Sequence, residues 1–427
     1  MGDFARTCGA RAPMNPLTRA TFESFDRADP LRSFRDKFAM PEGVIYLDGN
    51  SLGALPRASV ARIRNVVETE WGQDLIRSWN KNGWMDLQLR VGEKIGALIG
   101  AQPGETIVTD STSVNLFKTL GAALKLNSNR RVIVTEAENF PTDIYIAQGL
   151  VEFLGGTHEL RLTETEQIES AIGTDVAVLM LTHVDYRTGR MWDMRRVTAL
   201  ARSAGVVTIW DLSHSAGAVP VDLSDAAPDF AVGCGYKYLN GGPGAPAFLY
   251  VAKRHLNHLA MPLTGWLGHA KPFAFETHFR PADGIARTRV GTPPILSLAP
   301  LEVGVDIVAE ATIEALRAKS VRQTDLLMAV AAQELRELGV ETVSPADAAS
   351  RGSQVCLRHP QAWPITQALI SQGIVGDFRT PNILRFGIAP LYVGFSELWD
   401  AVAAIKEIIT SGSWNHPQFV AAPSHVT

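Results

Sequence analysis

The chain has little cysteine and no long hydrophobic run, and these two absences exclude several classes of protein. Only three cysteines, Cys8, Cys234 and Cys356, occur in 427 residues, and no two of them form a CxxC pair. A disulfide framework is therefore not expected, and the reducing cytoplasm is the predicted compartment. The longest apolar runs, such as 176–181, are too short to cross a membrane, and residues 1–20 lack the apolar core of a signal peptide.

An excess of charge of one sign is also lacking. Forty Lys and Arg residues face 44 Asp and Glu residues, for a formal net charge of −4. Because nucleic-acid-binding proteins usually carry a basic excess, we predict no nucleic-acid and no membrane partner. The ten histidines show neither HExxH nor HxxxH spacing, so no metal site is predicted. The remaining composition, 46% hydrophobic and 20% charged, is typical of a globular protein that acts on a small molecule.

Short apolar and β-branched runs alternate with helical segments through the first two thirds of the chain. These runs lie at 132–135, 176–184, 205–211, 229–233 and 247–251. Continuous apolar strands separated by helices are typical of a mostly parallel sheet with helices on both faces. After Pro293-Pro294 the pattern changes. A helical stripe ends at Gly339, and shorter strands at 354–357 and 383–386 and a helix at 396–409 follow.

This pattern predicts an α/β fold with a large domain and a smaller α+β C-terminal domain. We expect an N-terminal arm and part of the small domain at 1–58, the large ligand-binding domain at 59–299 and the small domain at 300–427. Residues 1–30 are predicted to form a mobile arm, because they contain several prolines and little periodicity. The segment from Gly412 onward is predicted to be loosely held for the same reason.

Two of the predicted strands end in residues that suggest chemistry. The strand at 205–211 ends in Asp211, and His214 follows. Asp211 could cap the next helix, or it could face a protonated ring nitrogen at the carboxyl edge of the sheet. After the strand at 229–233, Lys237 lies between two tyrosines in a loop with five glycines, 233–244. It could be a solvated lysine in a turn, or a Schiff-base amine beside a planar ligand that the glycines allow to approach.

Two further segments suggest where such a ligand would be held. A polar cluster with Thr112 and Ser113 precedes a helical stretch that ends near Leu126. Hydroxyl and N–H groups at a helix start can bind an anion, although a plain helix cap fits equally well. Phe140, in the segment Glu138–Asp143, follows the strand at 132–135 and could stack on a flat ring or belong to the core.

The four segments together favour one ligand, pyridoxal 5′-phosphate (PLP). Its phosphate would lie near Thr112 and Ser113, its ring on Phe140, its ring nitrogen at Asp211 and its aldehyde on Lys237. PLP chemistry requires a lysine amine and an acidic partner for the pyridinium nitrogen. The set of residues therefore predicts a PLP-dependent enzyme.

Three motifs extend this interpretation to a family. YLDGNSLG at Tyr46–Gly53, WDLSHSAGA at Trp210–Ala218 and GYKYLNGGPG at Gly235–Gly244 resemble the kynureninase family. That family belongs to the class V aminotransferase group of fold type I PLP-dependent enzymes. The resemblance runs from about residue 30 to about residue 410. It implies hydrolysis of L-kynurenine to anthranilate and L-alanine in tryptophan catabolism, by a homodimer whose active site is shared across the interface.

The resemblance also assigns roles to individual residues. It implies that Lys237 forms the Schiff base and that Tyr236 is a candidate proton donor besides binding the phosphate. The remaining implied cofactor contacts are Thr112, Ser113, Phe140, Pro141, Thr142, Asp143, Thr182, Asp211 and His214, with Trp266 and Thr292 donated by the partner subunit. Arg385 would bind the substrate α-carboxylate, with Trp79 near its aromatic end and Asn50 as a third substrate contact. Family members with His and Asn at the positions of Trp79 and Thr292 prefer 3-hydroxykynurenine, so this chain resembles the kynurenine-preferring type.

The residues also bear on three alternative functions. A cysteine desulfurase needs a nucleophilic cysteine in a flexible loop, and none of the three cysteines lies in an obvious one. A class V aminotransferase would need a keto-acid acceptor, which an assay can test. A nucleotide-binding protein would carry a Gly-Lys-Ser/Thr phosphate loop, but the glycines at 241–244 follow Lys237 and lack that ending.

Overall fold

The structure, a computed structural model, describes residues 16–421. The strands in this range are β1 (Ile45–Tyr46), β2 (Thr106–Val108), β3 (Val132–Glu136), β4 (Glu159–Thr163), β5 (Val176–Thr182), β6 (Val207–Asp211), β7 (Phe230–Gly233), β8 (Phe248–Val251), β9 (Glu341–Thr342), β10 (Gln354–Arg358), β11 (Ile374–Val375), β12 (Asp377–Arg379) and β13 (Ile383–Gly387). The α-helices are α1 (Arg19–Arg27), α2 (Arg57–Asn65), α3 (Ser78–Lys81), α4 (Leu87–Leu98), α5 (Thr112–Leu126), α6 (Pro141–Phe153), α7 (Met194–Ser203), α8 (Leu223–Ala226), α9 (Lys253–Leu256), α10 (Ile295–Ala311), α11 (Ile313–Leu335), α12 (Ala362–Ser371), α13 (Phe395–Ser411) and α14 (Pro417–Val420).

A mostly parallel sheet organises the larger part of the molecule. Its strand order is β2-β8-β7-β6-β5-β3-β4, and β4, β3, β5, β6 and β7 run parallel to one another. Strand β8 is antiparallel to both of its neighbours, β7 and β2. The predicted α/β architecture with a mostly parallel sheet is therefore confirmed.

Both faces of this sheet are buried, which explains why its strands read as continuous apolar runs. In β5, Leu179 and Leu181 belong to one hydrophobic core, whereas Val178 and Met180 belong to the core on the opposite face. Successive side chains of a strand point to opposite faces, so each strand contributes to both cores. Because β5, β6 and β7 run parallel, they end at the same edge of the sheet, and the loops that follow them meet there.

A second, antiparallel sheet lies in the C-terminal part, with strand order β12-β13-β10-β9. The strands predicted at 354–357 and 383–386 and the helix predicted at 396–409 are confirmed as β10, β13 and α13. Strand β1 joins this part of the molecule by pairing with β11 in parallel. The predicted boundary at 299–300 falls inside α10, and the three domain ranges remain a prediction.

Residues 16–30 do not form the mobile arm that the sequence suggested. They include α1, whose Phe22 is fully buried and which packs against α13. The Asp26 carboxylate accepts hydrogen bonds from the N–H groups of Phe395 (2.6 Å) and Ser396 (2.9 Å). It thereby caps a helix far away in the sequence, whose first N–H groups have no partner within the helix. Residues 1–15 lie outside the described part of the chain.

The segment after Gly412 is also held more firmly than predicted, as far as residue 421. It forms a short turn of helix and then α14, both of which pack on α12. The indole Nε1 of Trp363 in α12 donates a hydrogen bond to the carbonyl oxygen of Ala421 (3.0 Å). Proline and low periodicity indicated a loose tail, but tertiary contacts with α12 fix it.

Candidate active site

A cavity of about 80 Å³ lies at the carboxyl edge of the parallel sheet, beside the ends of β5, β6 and β7. The loops after these strands and the first turns of α5 and α6 form its walls. Its lining residues are Thr112, Ser113, Phe140, Thr142, Asp143, Thr182, Tyr186, Asp211, Ser213, His214, Tyr236 and Lys237. Ten of these twelve are residues that the sequence predicts as cofactor contacts. Such an edge is where open α/β sheets bind their ligands.

Lys237 reaches the cavity from the loop after β7. Its Nζ lies 5.9 Å from the centre of the Phe140 ring and 6.0 Å from the centre of the Tyr236 ring. The loop is held by backbone hydrogen bonds from Gly53 N to the Tyr236 carbonyl oxygen (2.8 Å) and from Gly241 N to the Gly235 carbonyl oxygen (2.9 Å). An amine between two aromatic faces, on a well-anchored loop, can be presented to a flat ligand.

Two glycines of this loop, Gly235 and Gly241, lie where the chain packs closely on its neighbours. None of the residues described as lining the cavity is glycine. A Cβ on Gly235 would lie 2.5 Å from the carbonyl oxygen of Pro246, and one on Gly241 would lie 2.7 Å from a side-chain carbon of Leu301. Gly235 and Gly241 therefore allow the loop to pack tightly on its own backbone and on α10, and the approach of a flat ligand to the loop remains a prediction.

Two buried carboxylates face the same cavity. Asp211 ends β6 and accepts a hydrogen bond from Ser213 N at 2.7 Å, while Asp143 accepts one from Thr182 Oγ1 at 3.2 Å. Burial raises the pKa of both groups, and for Asp143 the nearby charge of Asp211 raises it further. The positive charge of Lys237 acts in the opposite direction on both. Such a pair favours a cationic or proton-bearing group of a ligand between the carboxylates and the lysine.

Several buried polar atoms of the cavity lack a hydrogen-bond partner among the described residues. They are Thr112 Oγ1, Asp143 Oδ1 and His214 Nδ1. Burial lowers the pKa of His214 well below its ordinary value, so the imidazole is neutral and Nδ1 is free to donate or accept. Because buried polar atoms are almost always hydrogen-bonded, the cavity fits a polar ligand that would satisfy them. A hydroxyl at the start of α5 suits a phosphate, and a carboxylate suits a pyridinium nitrogen, so these residues fit PLP.

Phe140 and Pro141 are placed by the start of α6. Asn139 Oδ1 accepts a hydrogen bond from Phe140 N at 2.7 Å, and Pro141 occupies the first helical position. The Phe140 ring is 39% exposed and meets Tyr186 edge to face, with ring centres 5.2 Å apart. Phe140 is therefore a wall of the cavity and not a core residue, whereas Pro141 sets the helix start and does not line the cavity.

Tyr236 separates this cavity from a larger, adjoining one of about 540 Å³. The larger cavity is lined by Thr292 and by the turn that precedes α5, which includes Asp110 and Ser111. Thr292 thus lies near Tyr236 but outside the cavity that contains Lys237. Burial raises the pKa of the Tyr236 phenol, so this group keeps its proton at neutral pH.

Two predicted tryptophans lie away from the cavity. Trp266 begins a short helical turn, is 43% exposed, and packs edge to face on Phe273 with ring centres 5.5 Å apart. Trp79 packs edge to face on Trp84, with ring centres 5.6 Å apart. Neither ring lines the cavity that contains Lys237.

Arg385 lies in the middle of β13, almost fully buried, with its guanidinium directed at protein groups. Its Nε donates to Asp377 Oδ1 (2.7 Å), its Nη1 to the Tyr186 carbonyl oxygen (2.8 Å) and its Nη2 to Ser51 Oγ (2.8 Å). A second bond joins Nη2 to Asp377 Oδ2, which completes a bidentate fork. Arg385 therefore contacts the cavity wall through the backbone of Tyr186.

The YLDGNSLG motif connects this arginine with the lysine loop. Asn50 is fully buried, and in the amide orientation that satisfies its neighbours it donates to Asp48 Oδ1 (3.1 Å) and accepts from Arg385 Nε (3.2 Å). At the end of the motif, a Cβ on Gly53 would lie 2.4 Å from the Lys237 carbonyl oxygen. Asn50 and Arg385 thus form a separate polar cluster, and Tyr186 lies between this cluster and the cavity.

Sequence reasoning missed two lining residues, Tyr186 and Ser213. Ser213 lies between Asp211 and His214, so the same strand-end argument could have included it. Tyr186 follows the end of β5 by four residues, and a similar argument applied to β5 would have found its loop. Its contact with Phe140 could not be read from the sequence, because Phe140 belongs to a different strand-to-helix connection.

Comparisons with known proteins show which family the chain belongs to. The model of the kynureninase C-terminal domain matches residues 316–405, and that of the DegT/DnrJ/EryC1/StrS aminotransferase family matches residues 75–222. A curated kynureninase from Pseudomonas fluorescens is 50% identical over 407 residues, which are 94% of this chain and 98% of that protein. The chain belongs to the kynureninase family. It is accordingly an enzyme of that kind, acting on a small-molecule substrate.

Solved structures show that this member of the kynureninase family has the fold of the fold type I PLP-dependent enzymes. An apo cysteine desulfurase from Thermococcus onnurineus NA1 matches with a TM-score of 0.74 and 19% identity, over 89% of this chain and 98% of that chain. A variant of C-DES with glycine covalently linked to its PLP cofactor matches with a TM-score of 0.75 and 17% identity, over 87% and 99% of the two chains. The identity is low, so the likeness concerns the fold alone.

The cysteines of this kynureninase family member do not favour the desulfurase alternative. Cys234 and Cys356 are both buried. Burial raises the pKa of the Cys234 thiol, and it raises that of Cys356 to about 12. A thiol attacks as its thiolate, which these environments disfavour. Cys8 lies outside the described residues.

The part of the chain that the structure describes contains neither a metal-binding cluster nor a membrane-spanning helix. Among residues 16–421, no group of three or more His, Cys, Asp and Glu side chains is arranged to hold a metal ion. None of the helices in the same range combines the length and the apolar character that a membrane span needs.

Proposed function

We propose that this protein hydrolyses L-kynurenine to anthranilate and L-alanine with PLP as its cofactor, and 3-hydroxy-L-kynurenine less well, in tryptophan catabolism. One water is consumed when the Cβ–Cγ bond breaks. Its oxygen ends on the former γ-carbon as part of the anthranilate carboxyl group, and a proton is added to the β-carbon. The observation that carries the proposal is a single cavity containing Lys237, two buried carboxylates and unpaired polar atoms, in a chain 50% identical to a kynureninase.

Three side chains of the cavity and the start of α5 would hold PLP. When bound, PLP supplies an electron sink for the electrons of the bonds that break in the substrate. The Lys237 amine would carry the cofactor covalently and, once released, take the proton from the substrate α-carbon. Asp211 would face the ring nitrogen and Phe140 the ring, and the start of α5 would bind the phosphate through Thr112 and Ser113.

Tyr236 is the candidate proton donor for the product half of the reaction. Its raised pKa keeps the phenol protonated, and its position in the wall between two cavities supports access from either side. A phenol that keeps its proton at neutral pH can deliver it to a carbon centre and be reprotonated from solvent.

Arg385, Asn50 and Trp79 are proposed to bind the substrate. An arginine fork is the geometry that recognises a carboxylate. Because Asp377 occupies this fork, the substrate α-carboxylate would have to replace an internal partner. Trp79 would then contact the aromatic end of the substrate, and its combination with Thr292 supports a preference for kynurenine over its 3-hydroxy form.

We propose a homodimer in the cytoplasm, with Trp266 and Thr292 completing the active site of the partner subunit. The surface around Trp266 supports an interface, because Phe273 and Phe275 beside it are 61% and 75% exposed. Exposed aromatic side chains that lie together usually mark a contact surface. Thr292 lines an open cavity next to Tyr236 and is accessible from that side.

The test is a spectrum followed by a product assay on the purified protein supplied with PLP. We expect an absorbance band at about 420 nm from the bound cofactor, and anthranilate fluorescence from kynurenine without any keto acid. Lys237→Ala should lose the band and the turnover, whereas Lys253→Ala, a change at an exposed lysine, should keep both. Turnover that requires a keto acid would favour the aminotransferase alternative, and full activity of Lys237→Ala would refute the assignment of Lys237.

A further inference from the structure

A buried ion pair lies beneath the first turn of α5 and has no role in the site described above. The Lys118 side chain is completely buried, and its Nζ donates to Asp110 Oδ2 at 2.6 Å and to Asn115 Oδ1 at 3.3 Å. The Asp110 side chain is 26% exposed and lines the larger cavity beside Tyr236. Burying an ammonium group lowers the stability of the folded protein unless an opposite charge compensates it. We therefore asked what the Lys118–Asp110 pair contributes to the neighbouring site.

Asp110 fixes the turn that leads into α5. Its φ of 51° is in the left-handed region, which Asp and Asn tolerate better than most residues. Its carbonyl oxygen accepts from Ala247 N (2.9 Å), and its carboxylate accepts from Thr109 Oγ1 (2.9 Å) as well as from Lys118. Ser111, the residue that caps α5, follows directly. The direction of the helix start therefore depends on how Asp110 is held.

Asp110 also brings a negative charge close to the proposed phosphate site. It precedes Thr112 by only two residues, and a carboxylate there would repel a phosphate dianion at the start of α5. Lys118 places a positive charge against that carboxylate. Burial lowers the pKa of Lys118, and the contact with Asp110 opposes this effect. The pair thus brings no net charge to the helix start, whereas Asp110 alone would bring one negative charge.

We propose that Lys118 is a positioning residue for the cofactor phosphate: it neutralises and orients Asp110, so that the start of α5 can accept a dianion. The inference rests on the proposed function, since it assumes PLP in the cavity. Lys118 acts through Asp110 and does not touch the phosphate.

The experiment compares PLP with pyridoxal, which lacks the phosphate. Dissociation constants for both are measured by absorbance titration on the parent protein, Lys118→Met and Asp110→Asn. In Lys118→Met we expect PLP to bind roughly tenfold or more weakly, since one unpaired charge then acts on the anion, with little change for pyridoxal. In Asp110→Asn, which keeps the shape and tolerates the same φ, we expect PLP to bind as tightly as in the parent or more tightly.

The opposite responses of the two variants make the inference falsifiable. Equal weakening of PLP and pyridoxal by Lys118→Met would show a general packing role and overturn it. A loss of PLP preference in Asp110→Asn would also overturn it, and this test holds even if Lys118→Met fails to fold. A parent protein that binds neither compound would refute the proposed function itself, which separates the two failures.

Discussion

Asp48 is a buried carboxylate beside Arg385, and we expect Asp48→Asn to stabilise the protein as the pH rises. Burial, and then the charge of Asp377, raises the pKa of Asp48 from 3.8 to about 7 in the folded protein, although Arg385 opposes this rise. Between these two values the unfolded chain has lost the proton while the folded chain keeps it. Folding stability therefore falls as the pH rises from 3.8 to about 7, and Asn, which does not ionise, removes this dependence.

The magnitude follows from the separation of the two pKa values. Each pH unit in this range costs about 1.4 kcal/mol of unfolding free energy. Between pH 5 and pH 7 the parent should lose about 2 to 3 kcal/mol from this group, and nothing more above pH 7. The gap in stability between Asp48→Asn and the parent should widen by that amount from pH 5 to pH 8.

Urea unfolding of both proteins at pH 5 and pH 8 measures this gap directly. The difference between variant and parent cancels the contribution of the other titrating groups, and Asp283→Asn, at an exposed position, is the matched control. A gap that stays constant between the two pH values would show that Asp48 titrates normally, and the argument from burial would be wrong.

Two further predictions concern His183 and the glycines. Burial lowers the pKa of His183 from 6.5 to about 4, so the parent should lose about 3 kcal/mol of stability as the pH falls through this range; His183→Gln should abolish that loss in urea unfolding, and an unchanged pH profile would contradict it. Gly235→Ala puts a Cβ 2.5 Å from a backbone carbonyl oxygen and should weaken PLP binding in an absorbance titration by displacing the Lys237 loop. Gly149→Ala, in the open middle of α6, should leave PLP binding unchanged and raise stability by about 0.5 to 1 kcal/mol; equal PLP affinities for the two variants would disprove the steric argument.

The parts of the site that lie at strand ends could be predicted from the sequence. Asp211 and Lys237 each follow a continuous apolar run, and parallel strands bring such residues to one edge. Thr112 and Phe140 could be found in the same way, because each lies at the start of a helix after a strand. These positions could be predicted because the strand ends and helix starts are indicated by the residues immediately around them.

Contacts between distant segments could not be predicted. The Arg385 fork is occupied by Asp377, and its third contact is the backbone of Tyr186, 199 residues away. Nothing in the local pattern of either segment indicates this bond. The close packing of Gly235 and Gly241 could not be predicted either, because neighbours such as Leu301 are distant in the sequence.

The cap that Asp26 provides to α13 has a consequence for how the chain is made. The capped N–H group of Phe395 lies 369 residues after Asp26. At about 5 to 20 residues per second of protein synthesis, about 20 to 70 s pass before the ribosome has added the partner of the first helix. During that time α1 lacks the Trp399 ring that packs on Phe22, and Asp26 lacks the N–H groups that it caps. The contacts between α1 and α13 therefore form late in synthesis, and a nascent chain released before α13 is made would leave Phe22 without the Trp399 ring that packs on it.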